Sequence, residues 1–226
     1  MTTNRNFLVL ATKNHPMYEQ LKALDVSFYD IEDKSPFEDK RSHYSDYDYI
    51  MDFSLTPIEK KVSLLKNLRV QSDCPIVSDL ACYWGEQLFE TVKTLKGAIS
   101  LSFPSPKNTH EYFAADEETN SAIEEFHSLL GLNSIRVKSA GIGFTYPRVI
   151  SMVINEAYFS LEDGLAEEKD IDTAMKFGVN YPLGPFQWAK SIGAKNILML
   201  LDTLYDVTRD QRYRASSKLR LAASKI

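Results

Sequence analysis

A chain of 226 residues is long enough for one large domain or two small ones, and 44% hydrophobic with 25% charged residues is the balance of a globular protein, not a disordered one. The formal net charge of -5, with both signs dispersed and no long basic run, speaks against a nucleic-acid partner. The longest apolar stretch, Asn196 to Leu201, is closed by Asp202 and is too short to cross a bilayer.

In chain order, Phe7 to Ala11 reads as a buried strand and Pro16 to Leu24 as a helix, with Asn14 as cap and Pro16 in the first turn. Val26 to Ile31 is a second strand, Glu32 to Asp46 is polar and irregular, and Tyr49 to Phe53 is a third strand. Thr56-Pro57 opens a helix that runs to about Leu68. Pro75 to Ser78, Ile99 to Phe103 and Ile135 to Val137 complete the strands, with helices over Trp84 to Leu95 and Glu117 to Leu130. Strands alternating with helices predict a mostly parallel sheet covered on both faces. The cluster Tyr44, Tyr47, Tyr49 is read as packing in and around that core.

From Pro147 the pattern changes. Val149, Ile150, Val153, Ala157 and Leu161 recur at helical spacing, with Met152 and Phe159 widening the apolar surface until Gly164 ends the helix. Lys169 to Phe177 follows with Gly178 as C-cap, then Phe186 to Ile192, Gly193 and Ala194 to Val207, and a basic tail from Arg212 to Lys225. Small residues over Ser139 to Gly143 place a boundary there, dividing the chain into 1–138 and 139–226. The start of the chain shows no secretory signal pattern, and Cys74 and Cys82 form no CxxC pair. Free thiols in a reducing cytoplasm are the expectation.

The second half carries an ordered succession of motifs: Asn155-Glu156-Ala157, then Asp170-Ile171-Asp172-x-Ala174-Met175-x-x-Gly178, Tyr181-Pro182-Leu183-Gly184-Pro185-Phe186, Gly193, and Asp210-x-Arg212-Tyr213-Arg214. This succession, over about Ala140 to Ala222, resembles the helical C-terminal domain of 3-hydroxyacyl-CoA dehydrogenases. The residues themselves read as packing and capping: Gly184-Pro185 allows a tight turn that carries Phe186 inward, and Asp170 and Asp172 suit the positive end of a helix. The first half resembles the family's Rossmann domain more loosely, and Glu32 to Asp46 is too short for the strand and long helix that the family has there. The implied architecture is α/β, a shortened Rossmann-like sheet followed by an all-helical domain. The resemblance further implies a homodimer through the helical domain and an acyl-CoA-type ligand in the cleft between domains.

The chemistry the family requires is not legible. A dinucleotide pyrophosphate needs glycines and free amides in the first strand-to-helix turn, but that turn is Thr12-Lys13-Asn14-His15-Pro16-Met17 and the first glycine of the chain is Gly85. Lys13 and Asp30 are the residues left that could touch a cofactor. By resemblance, Ser102 in Ser100-Leu101-Ser102-Phe103-Pro104-Ser105-Pro106 occupies the place of the catalytic histidine, Ala114 that of the glutamate which orients it, and Pro147 that of the asparagine which holds the substrate carbonyl. Ala81 aligns with a substrate-contacting serine. Serine has no pKa near neutrality and cannot replace an imidazole base. His110 beside Glu111 is the one candidate for a rebuilt acid–base pair, but adjacent residues diverge on a strand or helix. His15, His43 and His127 read as surface residues, and no metal-ligand spacing is present. The expectation is therefore a binding or scaffold protein without a cofactor. The alternative is a divergent NAD-dependent oxidoreductase acting on 3-hydroxyacyl-CoA or a related hydroxy acid.

Overall fold

The computed structural model describes residues 5–32, 44, 46–71 and 73–225. Its centre is a seven-stranded sheet made of β1 (Phe7–Ala11), β2 (Ser27–Asp30), β3 (Tyr49–Phe53), β4 (Ile76–Asp79), β5 (Leu95–Ile99), β6 (Thr109–Ala114) and β7 (Asn133–Arg136), ordered β2-β1-β3-β4-β5-β6-β7. Every neighbouring pair is parallel except β5 with β6. Strands buried on both faces need apolar residues at consecutive positions, and β1 and β3 are buried at every residue. Helices α1 (Tyr18–Lys22), α2 (Ile58–Gln71), α3 (Gly85–Thr91) and α4 (Glu117–Leu129) connect and cover the strands.

The chain leaves β1 toward β2 on one side and resumes at β3 on the other. The ends of β1 and β3 therefore flank the crevice where open α/β sheets bind their ligands.

Helices α5 (Thr145–Glu162), α6 (Glu168–Gly178), α7 (Pro185–Ile192), α8 (Ala194–Thr208) and α9 (Ser217–Ser224) form the second half, with a 3-10 turn at Gln211–Tyr213. Ile150, Ile154, Ala157 and Tyr158 of α5 pack with Trp188, Ile192, Ile197, Leu200 and Leu204 in a core continuous with one face of the sheet. Gly143 has φ +75, and a Cβ there would collide with the Leu200 side chain and stand 2.8 Å from the Ala81 carbonyl oxygen. That glycine lets α8 press directly on the loop after β4.

Several expectations are corrected. The first helix is one short turn and Asn14 does not cap it, because its amide reaches the Leu55 carbonyl instead. The fourth and fifth connections are shifted: the strand read at Ile99 to Phe103 runs from Leu95 to Ile99, and the helix read to Leu95 stops at Thr91. Strand β6 has no counterpart in the sequence reading. The basic tail from Arg212, given no secondary structure in the sequence reading, folds into the 3-10 turn and α9, which buries Leu219 and Ala223. Val149 faces outward at 58% exposure, so the buried stripe of α5 runs through Ile150 instead. Asp172 does not serve its own helix; its carboxylate accepts the Phe186 amide at 2.8 Å and so caps α7. The polar stretch between Glu32 and Asp46, His43 included, lies almost wholly outside the described residues.

Candidate functional site

The turn after β1 is closed by bonds to itself. The His15 amide donates to the Thr12 carbonyl at 2.9 Å and the Tyr18 amide to the His15 carbonyl at 2.9 Å. The Met17 amide donates to His15 Nδ1 at 3.1 Å, and residue 16 is a proline with no amide hydrogen. Amides 15, 17 and 18 are thus spent internally, whereas a bound phosphate needs them free. Thr12 and Asn14 also clasp the end of β3: the Leu55 amide donates to Thr12 Oγ1 at 3.0 Å, and Asn14 Nδ2 donates to the Leu55 carbonyl at 2.9 Å. Lys13, exposed, stands 3.5 Å from Asp30, whose carboxylate accepts the Tyr18 hydroxyl at 2.8 Å. Burial opposes ionisation of Asp30, yet the Tyr18 hydroxyl, the Glu32 amide and Lys13 together hold its pKa below the ordinary value. The two candidate cofactor contacts are therefore joined to each other, and the residues at this turn do not fit a dinucleotide pyrophosphate.

His15 corrects the sequence reading most sharply. It is 2% exposed, and its Nε2 lies 3.1 Å from Asp79 Oδ2. Its ring meets Phe53 edge-on at 5.3 Å between centroids. Asp79 ends β4 with no exposure and takes four hydrogen bonds, from His15 Nε2, the Ala81 amide, the Ser102 amide and the Ser102 hydroxyl at 2.8 Å. Burial alone would raise the Asp79 pKa; His15, the Ala81 amide and Ser102 outweigh it and hold the carboxyl below its ordinary range. Ser102 thus has its hydroxyl committed to Asp79 and no surface exposed. Although serine, histidine and aspartate meet here, serine and histidine both bond the carboxylate rather than each other, so the geometry is not a nucleophile–base relay.

A second buried cluster lies beside the first. Lys61 Nζ is 2.6 Å from Asp52 Oδ2 and 2.8 Å from the Ser54 carbonyl, with neither charged side chain exposed. Ser78 donates to Asp52 at 2.7 Å, and the Lys61 ammonium sits 5.2 Å above the Tyr83 ring. The sequence did carry a signal for this cluster, since Asp52 and Asp79 are the charges in two otherwise buried strands.

The remaining candidates are dispersed. Ala114, Ala81 and Pro147 are buried and carry no ionisable group. His110 is 3% exposed with Nδ1 3.4 Å from the Ser100 carbonyl, and burial lowers its pKa below the ordinary value. Glu111 turns the other way, where its carboxylate accepts the Thr145 and Tyr146 amides at 2.9 and 2.7 Å and caps α5. The two do not pair. His127, read as a surface residue, is fully buried against Ser134, and burial holds its pKa at about 3. Cys74 and Cys82 are buried, and the Cys74 thiol donates to the Tyr47 carbonyl at 3.2 Å. Among the described residues no group of three or more His, Cys, Asp or Glu could hold a metal, and no helix is long and apolar enough to cross a membrane. What remains open at the crevice is a cavity of about 400 Å³ between Asn14, Thr56 and Tyr83 on the sheet side and Lys195, Asn196 and Met199 on α8.

The family model described as 3-hydroxyacyl-CoA dehydrogenase, C-terminal domain, matches residues 143–225. Residues 143–225 thus form a domain of the 3-hydroxyacyl-CoA dehydrogenase C-terminal type. Its relatives include a 3-hydroxyadipyl-CoA dehydrogenase of Escherichia coli (strain K12), 49% identical over 76 residues that make up 34% of this chain and 16% of that protein. A 3-hydroxybutyryl-CoA dehydrogenase of Bradyrhizobium diazoefficiens is 34% identical over 45% of this chain and 34% of its own length. The matches thus span a minor part of these 3-hydroxyacyl-CoA dehydrogenases. The crystal structure of (S)-3-hydroxybutyryl-CoA dehydrogenase from Ralstonia eutropha superposes with a TM-score of 0.71 and 21% identity over 96% of this chain and 92% of that one, which shows a shared fold. Thr12 to Tyr18, Asp79 and Ser102 all lie outside the segment that matches the dehydrogenase family model.

Proposed function

We propose that this chain keeps the helical domain as a binding or dimeric scaffold and does not carry out NAD-dependent oxidation of 3-hydroxyacyl-CoA. One observation carries the reading: the amides of His15, Met17 and Tyr18 are bonded within the turn after β1, and the Ser102 hydroxyl is bonded to Asp79. Hydride transfer to a nicotinamide needs a cradle for the dinucleotide and a base for the alcohol proton. Here the cradle is bonded shut, and the base is a buried serine hydroxyl. On this reading the protein works in the reducing cytoplasm, pairs with a second copy through the helical domain, and takes any acyl-CoA-type ligand at the crevice cavity beside Tyr83 and Lys195. Purified protein is assayed for NADH absorbance with 3-hydroxybutyryl-CoA and NAD, with one of the curated relatives as positive control. Absence of turnover is expected, and turnover above the buffer blank refutes the proposal.

The second reading is a divergent oxidoreductase of fatty-acid metabolism, favoured by the activities of the relatives, which are dehydrogenases of 3-hydroxyadipyl-CoA and 3-hydroxybutyryl-CoA. It requires His110 to act as the base. Turnover that vanishes in His110→Asn, in protein of unchanged fold by circular dichroism, would establish it.

A further inference from the structure

The segment that leaves the sheet for the helices forms a second cavity that shares no lining residue with the crevice. It has a volume of about 360 Å³, and its apolar wall includes Val137, Ile142, Phe144 and Met152. Its polar wall holds Glu111, Arg148, Arg212 and Tyr213.

The charges there are unevenly matched. The Glu111 carboxylate is engaged by the two amides at the start of α5. Arg212 is paired with Asp210 at 2.5 Å. Arg148 donates to the Tyr213 hydroxyl at 2.7 Å, but among the described residues no carboxylate lies within ion-pair distance of it. It also stands in the first turn of α5, at the positive end of the helix dipole, where a cation is disfavoured. Both guanidiniums flank one phenol ring, Arg148 at 5.8 Å and Arg212 at 5.3 Å from its centroid. Of the two guanidiniums gathered at that ring, Arg148 is the one without an ion-pair partner, and it stands beside an apolar hollow where a small anion would pair with it. A planar guanidinium already oriented by one hydrogen bond has further donors to offer a carboxylate or phosphate.

We infer that this cavity is a binding site for a small amphipathic anion, a carboxylate or phosphate monoester carrying an apolar chain or ring. The anionic head bonds the Arg148 guanidinium and the apolar part lies against Ile142, Phe144 and Met152. The inference does not rest on the closed crevice, since neither Arg148 nor its neighbours take part in the His15–Asp79–Ser102 network.

The test is isothermal titration of the full chain with octanoate, with octanol and acetate as the uncharged and the chainless controls. Octanoate is expected to bind saturably and both controls more weakly by about tenfold or more. Arg148→Gln keeps a donor for Tyr213 and removes the charge, and it is expected to lose octanoate affinity by a similar factor. Met152→Glu, which places a negative charge in the apolar wall, is expected to do the same in a protein whose Arg148–Tyr213 contact is intact. Absence of saturable octanoate binding, or equal affinity in wild type and Arg148→Gln, overturns the inference. Octanol binding as well as octanoate would also overturn it, because the hollow would then be apolar without charge selection.

Discussion

Replacing Asp79 by asparagine tests whether the turn after β1 is held in place by its polar network. The wild-type carboxylate has two acceptor oxygens and four donors: Oδ1 serves Ala81 N and Ser102 Oγ, and Oδ2 serves His15 Nε2 and Ser102 N. An asparagine offers one carbonyl oxygen and one amide that is itself a donor. Two of the four donors therefore face another donor with no water to turn to, since Asp79, His15 and Ser102 are all at most 2% exposed. Each stranded buried donor costs about 1–3 kcal/mol, and a change of His15 tautomer gives no relief, because a protonated Nδ1 would then confront the Met17 amide that it now accepts. The net loss is then about 2–6 kcal/mol, or roughly 4–24 °C in Tm for a chain of this size. Urea unfolding at neutral pH, followed by far-ultraviolet circular dichroism, measures the difference directly. A loss below about 1 kcal/mol would refute the reasoning, because the four bonds would then not be holding the turn. A cycle with Ser102→Ala sharpens the test: the two changes are expected to be non-additive, since they remove the same hydrogen bond.

Three further outcomes are expected. His127 is held at about 3 by burial, against an unfolded value near 6.5, so its neutral form is fully compatible with folding above pH 6.5 and stability drains as the pH falls from there toward 3. The drain reaches about 2 kcal/mol at pH 5, and unfolding titrations at pH 7.5 and 5 should show the difference shrinking in His127→Gln; an unchanged pH slope would contradict it. Glu111→Ala removes the acceptor for the first two amides of α5 and should cost about 1–2 kcal/mol in the same assay. Gly143→Ala combines a φ of +75 with a collision at Leu200 and the Ala81 carbonyl, and should cost more than about 2 kcal/mol or prevent soluble expression; a neutral outcome would mean that α8 does not press on that loop.

The sequence reading succeeded where burial writes itself as a run of residue types. FLVLA and YIMDF are near-continuous apolar runs because both faces of those strands are covered, and the helical half shows its 3.6-residue stripes and its stops at Gly164 and Gly193, whereas Gly178, read as a C-cap, lies inside its helix and Val179 is the cap. It failed where the deciding partner is remote. Strand β6 buries His110, Tyr112 and Ala114 on one face, a set with weak apolar contrast, and its antiparallel pairing to β5 is set by tertiary packing. Strand β5 carries Gly97, whose missing Cβ makes room for Ile123 and Val77, a requirement set by remote partners. His15 looked like surface because Asp79 lies 64 positions away. Ser102 could be singled out in the sequence, but no periodicity reveals that its hydroxyl is bonded to Asp79 inside the core.

The account turns on whether a nicotinamide dinucleotide can occupy the end of β1. Titration of the protein with NADH, read by the cofactor's own fluorescence, is the most direct measurement. The bonds at residues 12, 15, 17 and 18 predict a flat response into the millimolar range. A saturable enhancement that NAD displaces, and that disappears when the turn is altered at Lys13, would contradict the account.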